Sequence, residues 1–304
     1  MKIIVTGGAG FIGSNLVDAL VNANHQVLIL DDLSTGLKTN LNSQAKFIQL
    51  DIADDKVSDI FLDFKADIVY HLAAQKNVRT SLLNPKKDAE TNILGSLNIL
   101  SAAIQSEVKN FVFISTGGAI YGDTEIIPTP EDHLEQPLSP YGLAKLTFEK
   151  YLKLLSGDKM NWQILRLANV YGPRQDPQGE AGVIAIFLDN IVKNLPLKIN
   201  GDGLQTRDYV YVKDVVSAAM SVLDKKTNGL YNIATAKEIS LLDLVADLKI
   251  LSAKEIIVEH QPAIIGEIQR SCLTSLKAKE DLSWTAKYDL KTGLKETWDW
   301  FINK

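Results

Sequence analysis

Residues 2–13 read Lys-Ile-Ile-Val-Thr-Gly-Gly-Ala-Gly-Phe-Ile-Gly, and this stretch decides the fold. The apolar, β-branched run Lys2–Thr6 has the character of a buried strand. It ends in glycines at Gly7, Gly10 and Gly13, a G-x-x-G-x-x-G spacing. Residues 11–23 then carry apolar side chains at three- and four-residue intervals, the pattern of a helix. So tight a turn needs residues without a Cβ, and glycine also lets the backbone approach a pyrophosphate closely. The free N–H groups and positive dipole end of the following helix then face the phosphates. A glycine loop alone is often only a turn. Here it follows a strand, precedes a helix and sits in a unit of about 30 residues.

The next strand ends at Asp31, eighteen residues past Gly13. A carboxylate there accepts both adenosine ribose hydroxyls and repels a 2′-phosphate. Residues 32–36 contain no arginine, and the nearest base is Lys38. The sequence therefore predicts NAD rather than NADP, the alternative being a solvated surface acid. Asp51 ends the third strand. It is placed either at the adenine edge or as a cap for the helix after Ile52.

Outward from this unit, residues 26–31, 46–51, 67–72, 110–116 and 162–168 are further near-continuous apolar runs, as expected for strands covered on both faces. Helical patterns at 88–106 and 140–156 separate the later ones. This alternation predicts an α/β fold, a Rossmann-type doubly wound parallel sheet. After Ala168 the rhythm changes. Residues 170–177 read as loop, 183–194 as helix, 201–203 as a Gly-Asp-Gly turn, 212–223 as helix and 230–234 as one more buried strand. The tail carries a helix opened by Ser240, a strand at 255–259, and helices near 275–282 and 292–302. A smaller α+β substrate lobe follows, interleaved with the first domain. Residues 1–168 plus about 212–236 form the cofactor domain, and about 169–211 plus 237–304 the lobe.

Composition bounds the function. The chain has 304 residues, 46% hydrophobic and 23% charged, which is ordinary globular usage. Lys+Arg number 32 against Asp+Glu 37, a net charge of −5, which argues against binding driven by nucleic-acid phosphates. An anionic small molecule stays possible, because a local site can oppose the global charge. The single cysteine, Cys272, excludes an intrachain disulfide and points to a reducing cytoplasm. His25, His71, His133 and His260 have no metal-ligand spacing, so no metal is expected. The N-terminus lacks a signal-peptide pattern, and no apolar run approaches the ~20 residues of a membrane helix.

Tyr141 and Lys145 stand at i and i+4 near the start of a helix, on one face. A phenol is a poor base at neutral pH, but a neighbouring ammonium and a nicotinamide cation favour its anion. Such a tyrosinate takes a proton from a sugar hydroxyl while hydride leaves the same carbon. Lys145 also has the reach to hold the nicotinamide ribose. A hydroxyl should polarise the reacting oxygen, and Ser115 and Thr116 end the fifth strand, where open α/β sheets place ligands. Either could serve, or could cap the strand end.

Taken jointly, TGGAGFIGS (6–14), DDLSTG (31–36), HLAAQ (71–75), TGGAIYG (116–122), YGLAK (141–145), LANVYGPRQDPQGEAGV (167–183) and TRDYVYVKDV (206–215) resemble the extended short-chain dehydrogenase/reductases. Within them the chain is similar to the sugar-nucleotide epimerases of the UDP-glucose (UDP-galactose) 4-epimerase type, over nearly its whole length. The resemblance implies that Tyr141 removes the O4 proton while the C4 hydride passes to NAD⁺. The 4-keto sugar then rotates about its diphosphate and hydride returns to the other face. It implies an NAD site lined by Gly7, Gly10, Phe11, Ile12, Gly13, Asp31, Asp32, Leu33, Ser34, Thr35, Gly36, Asp51, Ile52, Leu72, Ala73, Ala74, Gln75, Asn92, Tyr141, Lys145 and Ala168. Thr116, Gly117, Tyr141, Asn169, Val183, Lys198, Asn200, Arg207, Arg270 and Ser271 fall to the substrate. A homodimer is implied as well, with helices 88–106 and 140–156 joining their symmetry mates in a four-helix bundle.

The same motifs exclude relatives. The Asp-Glu pair of 4,6-dehydratases would stand at Gly118 and Ala119, and the Glu of decarboxylases at Ala119, so neither β-elimination nor decarboxylation has its acid. Three positions depart from the familiar epimerases. Their catalytic Ser falls at Gly117, which leaves the hydroxyl role to Thr116. Their diphosphate arginine falls at Ile264, within Ile264-Ile265-Gly266-Glu267, where Arg207 remains and Arg270 is a candidate substitute. Their uracil-stacking aromatic falls at Asn200. The gate beside the sugar 2-substituent is Ser271, small enough to admit N-acetylated sugars. Two other readings stand beside the epimerase: a net oxidoreductase on a nucleotide sugar, which would release NADH, and a non-catalytic dinucleotide sensor, which would need neither Tyr141 nor Lys145.

Overall fold

The computed structural model describes residues 1–178, 182–264 and 268–304. Seven parallel strands form one sheet: β1 (Lys2–Thr6), β2 (Gln26–Asp31), β3 (Lys46–Gln49), β4 (Ile68–His71), β5 (Asn110–Thr116), β6 (Asn161–Leu167) and the later β11 (Gly229–Ile233), in the order β11-β6-β5-β4-β1-β2-β3. The doubly wound parallel sheet is thus the one the strand and helix alternation predicts. The strand order reverses beside β1, and ligands in such sheets bind beyond the carboxyl ends of the strands at that point.

Successive strand residues face opposite layers. Ile3 and Val5 join Leu16 and Leu20 of α1 (Phe11–Asn22) and, from α9 (Val212–Ser221), Val215 and Ala218 in one buried layer. Ile4, Val69, Phe111 and Phe113 join Phe61 of α2 (Val57–Phe64), Ile99 of α5 (Ser96–Gln105) and Phe148 of α7 (Pro140–Leu155) in the other. Ser139 caps α7, its side chain accepting from the Gly142 N–H at 3.1 Å, with Pro140 in the first turn.

Several boundaries differ from the sequence reading. The expected helix at 88–106 is broken into α4 (Pro85–Ala89), a π-helical stretch Glu90–Gly95 and α5. The wide turn lets Asn92 reach back to Gln75: its amide donates to the Gln75 carbonyl and its oxygen accepts the Gln75 N–H, both at 2.9 Å. Within the expected loop at 170–177, residues 170 and 171 belong to β7 (Asn169–Tyr171), which pairs in parallel with β10 (Tyr209–Tyr211). The strand expected at 255–259 lies at β13 (Val258–Gln261), against β8 (Leu197–Asn200). The helix expected after Ile52 is α2, whereas the short helices α3 (Val78–Leu83) and α6 (Gly117–Tyr121) were not expected.

Most of the remaining elements pack beyond the carboxyl edge. There α8 (Val183–Val192), α10 (Leu241–Ser252) and α12 (Leu290–Ile302) bury Ile184, Leu188, Leu244, Leu248, Leu294 and Phe301 with β8. Beside them, β9 (Thr206–Arg207) lies between β12 (Ile239–Ser240) and β14 (Arg270–Ser271). Buried Asp208 ties this region to the sheet by accepting the N–H groups of Thr235 and Ala236, both at 2.9 Å, just past β11. Near the C-terminus, α11 (Leu276–Leu282) leads to Trp284, whose indole donates to Ser217 of α9 at 2.8 Å. No helix among the described residues is long and apolar enough to cross a membrane.

His71 ends β4 wholly buried, its ring nitrogens 2.7 Å from Thr6 Oγ1 and 2.9 Å from Ser96 Oγ. Burial, with Lys145 near by, lowers its pKa from 6.5 to about 3. Between those values the unfolded chain takes up a proton that the folded chain refuses, so stability falls as pH falls through this window. Denaturant unfolding from pH 6.5 to 4 should show a stability slope that His71→Asn reduces, by up to about 1.4 kcal/mol per pH unit. An unchanged slope would show that His71 does not stay neutral when folded.

Candidate active site

The glycine turn is built as a bare cradle. Gly7 has φ +73°, and a Cβ there would lie 2.7 Å from the Ala73 nitrogen. A Cβ on Gly13 would lie 2.1 Å from the Gly7 carbonyl oxygen. Loop, helix and the chain after β4 therefore touch backbone to backbone. No side chain caps α1 at Gly10, so the first-turn N–H groups, including those of Phe11 and Ile12, are left for a ligand. Asp31 is buried beside them. Its oxygens accept the Ala9 and Leu33 N–H groups, each at 2.9 Å, and burial raises its pKa. Each oxygen keeps a further lone pair for a ribose hydroxyl. Asp32 is turned to its own loop, accepting from Ser34, and Gly36 closes on Asp31, where a Cβ would come within 2.7 Å of Oδ1. These residues fit a dinucleotide.

The other predicted cofactor positions divide. Leu72, Ala73, Ala74 and Gln75 follow β4, and Ala168 follows β6, all on the carboxyl edge of the sheet. Asp51 is exposed and accepts the Ala53 N–H at 2.9 Å, a local turn cap. Ile52 is buried against Gly95, and Asn92 is spent on Gln75 and Asp88.

A cleft of about 380 Å³ opens next to this edge. Its lining includes Thr116, Gly118, Tyr141, Ala168, Asn169, Arg207 and Ser271, residues drawn from five separate stretches of chain. Val78, Leu82, Leu138 and Ile268 add apolar walls that the sequence did not reveal, since isolated apolar residues carry no spacing signal. Arg207 is the one charged residue among the described lining, which suits an anionic ligand in a protein of net charge −5. Val183, Lys198, Asn200 and Arg270 stay outside the lining. The Arg270 guanidinium is held by Glu238 at 2.6 and 2.9 Å, and Ile264 is partly exposed. Gly266 and Glu267 of the expected arginine motif lie outside the described residues.

The two candidate hydroxyls differ in their surroundings. Ser115 is buried and donates to Glu149 at 2.6 Å, whereas Thr116 faces the cleft while capping α6. A Cβ on Gly117 would meet Leu273 Cδ1 at 2.3 Å, so a serine there would need Leu273 to move. Behind Tyr141, Lys145 is buried at 4% exposure. Its ammonium donates to the Ile114 carbonyl at 3.1 Å and sits 4.6 Å from the Phe113 ring centre. Burial lowers its pKa to about 8, against the pull of Asp88 and Glu149. The expected lowering of the Tyr141 pKa is not present in this state: burial and the Asp88 charge push it up.

Under the site, Arg166 and Glu149 form a fully buried pair, Nη2 to Oε2 at 2.6 Å and Nε to Oε1 at 3.0 Å. Glu135 reaches the same guanidinium from the surface side. Removing one member of a buried pair strands the other. Glu149→Ala should lower the unfolding free energy by about 3–5 kcal/mol, and much less in an Arg166→Met background. Equal losses in the two backgrounds would show that the pair is not coupled.

The sequence profile described as "NAD dependent epimerase/dehydratase family" matches residues 3–234. Among solved structures, a UDP-glucose 4-epimerase of Thermotoga maritima with UDP-glucose is 44% identical, covers 99% of this chain and 98% of its own, and superposes with a TM-score of 0.96. The Thermus thermophilus UDP-glucose 4-epimerase complex with NAD is 39% identical over 99% of each chain, TM-score 0.94. A UDP-N-acetylglucosamine 4-epimerase of Methanobrevibacter ruminantium with UDP-N-acetylmuramic acid is 33% identical over 99% and 98%, TM-score 0.94. With that profile match and these whole-length superpositions, the chain belongs to the NAD dependent epimerase/dehydratase family.

Proposed function

We propose that the protein is an NAD-dependent UDP-sugar 4-epimerase. The observation that carries this is the cleft that gathers Thr116, Tyr141, Asn169, Arg207 and Ser271 in front of buried Lys145. The glycine cradle and Asp31 hold the dinucleotide in this reading. NAD, when bound, supplies the acceptor for hydride from the sugar C4 and a cationic ring whose charge favours the phenolate. Tyr141 takes and returns the O4 proton. Thr116 donates to the same oxygen, and Arg207 holds the diphosphate while the keto sugar turns within the cleft. The cleft residues are drawn from the seven-stranded sheet and from the small sheets beyond it. We propose the interleaved division into residues 1–168 plus about 212–236, and about 169–211 plus 237–304, on the same ground.

Ser271 supports breadth at the sugar 2-position. A Cβ on Gly118 would lie only 3.1 Å from Ser271 Oγ, so the two small residues keep one wall thin. The neighbour that binds UDP-N-acetylmuramic acid favours the same reading. We also propose a homodimer through helices 88–106 and 140–156, where Leu94, Leu143 and Leu154 are exposed, in a cytoplasmic enzyme.

Incubation with UDP-, dTDP-, GDP- and CDP-sugars, read by NMR, should yield the C4 epimer of UDP-glucose without accumulation of NADH. Accumulating NADH would favour a net oxidoreductase, and no turnover with any sugar would favour a sensor. Tyr141→Phe should abolish turnover while NAD stays bound. Ser271→Tyr should lose UDP-N-acetylglucosamine and keep UDP-glucose. If both Ser271 forms fail on the acetylated sugar, the breadth assignment falls.

A further inference from the structure

The N–H groups in the first turn of a helix have no partner within that helix. In α7 they can be followed one by one. Pro140 has no N–H to place. The Gly142 N–H donates to the Ser139 side chain at 3.1 Å, and the Leu143 N–H to the Ser139 carbonyl at 2.9 Å. That leaves the N–H of Tyr141, a residue of the cleft lining. Its partner comes from another helix. Ser81 of α3 accepts it on Oγ at 3.2 Å and donates its own proton to the Val78 carbonyl at 2.6 Å, one turn back. Ser81 is wholly buried, where an N–H left without an acceptor is costly.

The place of this bond in the site is specific. Val78 and Leu82 stand three residues before and one residue after Ser81 on α3, and both line the cleft together with Tyr141. On its other side the start of α7 lies against α6. A Cβ on Gly142 would stand 2.2 Å from the Ala119 carbonyl oxygen, and the Ala119 N–H donates to Thr116 Oγ1 at 3.4 Å. Tyr141 is thus set between the helix that Thr116 caps and the helix that carries the apolar wall.

We propose that Ser81 is a positioning residue for Tyr141. Its hydroxyl fixes the start of α7 to α3, so that the Val78–Leu82 wall and the phenol that takes the O4 proton keep one spacing across the cleft. The catalytic consequence rests on the epimerase reading, and the tie between the helices does not. A hydroxyl suits the place because it accepts from Tyr141 and donates to Val78 at once. Alanine does neither, and a thiol does both only weakly. A reacting group displaced by about 1 Å costs up to about 100-fold in rate, and loss of one bond at the foot of Tyr141 displaces it less.

Two readouts separate the tie from its consequence. In protein labelled with ¹⁵N-tyrosine, with the Tyr141 amide assigned through Tyr141→Phe, exchange of that amide with water should quicken about tenfold or more in Ser81→Ala, the other tyrosine amides keeping their rates. A general loss of stability would quicken the set together. In the same variant kcat for UDP-glucose should fall about tenfold, with KM within about twofold of wild type and NAD retained. An unchanged Tyr141 amide overturns the tie. A lowered melting temperature with unchanged kcat overturns the positioning role.

Should Ser81→Ala fail to fold, Ser81→Cys and Ser81→Thr decide. Cysteine fills the space without a strong acceptor and should show the low kcat, whereas threonine keeps the hydroxyl and should recover most of it. Equal kcat in the two overturns the proposal. If the Tyr141 amide responds but the wild type turns over no sugar nucleotide, the epimerase reading fails and the tie stands. If the wild type turns over UDP-glucose but the amide does not respond, the tie fails and the epimerase reading stands.

Discussion

A lysine ammonium held out of water is the constraint from which the polar architecture of this protein follows. Lys145 has 4% of its surface exposed, and burial brings its pKa to about 8. Charge is kept there only by what surrounds it: the Ile114 carbonyl, the face of Phe113, and the carboxylates of Asp88 and Glu149. Glu149 in turn is buried and needs Arg166, which carries Glu135 and stacks 5.0 Å over Tyr121. A chain of paired charges thus runs beneath the cleft, from helix α7 through strand β6 to the loop ahead of α7. Each member is affordable only because the next is present.

The two ends of the site were legible in the sequence for different reasons. The glycine cradle is read from steric necessity: Gly7 and Gly13 occupy places where a Cβ would strike backbone, so the spacing is dictated by contact. The parallel strands were legible because burial on both faces writes continuous apolar runs. The helix at 88–106 looked uninterrupted, since a π-helical turn alters hydrogen bonding without altering apolar composition. Asp88 and Glu149 were missed because a buried acid looks like a surface acid until the fold supplies its neighbours. Tyr141 and the Ser115–Thr116 hydroxyls were read from spacing and strand end, and the resemblance to the epimerases added Arg207. Arg270, the candidate substitute for the arginine replaced by Ile264, has its guanidinium against Glu238.

The cleft turns a mildly acidic protein locally toward anions. Arg207 supplies the fixed charge among its described lining, beside polar Thr116, Tyr141, Asn169 and Ser271 and the apolar walls of Val78, Leu82, Leu138 and Ile268. Apolar walls suit a sugar that must turn over between two half-reactions, because directional hydrogen bonds to the ring would hold it in one pose. The small residues Gly118 and Ser271 leave the wall near the sugar open, while Leu273 closes the position where a serine hydroxyl would otherwise stand. Thr116 stands one residue earlier, at the end of β5, and lines the cleft.

The claim at the centre of this account is that C4 of the sugar is oxidised and reduced again by the same hydride. UDP-glucose carrying deuterium at C4, incubated with the protein in ordinary water and followed by NMR, tests it. The account predicts UDP-galactose with the deuterium still at C4. Epimer formed with loss of deuterium to water, or no epimer at all, would contradict it.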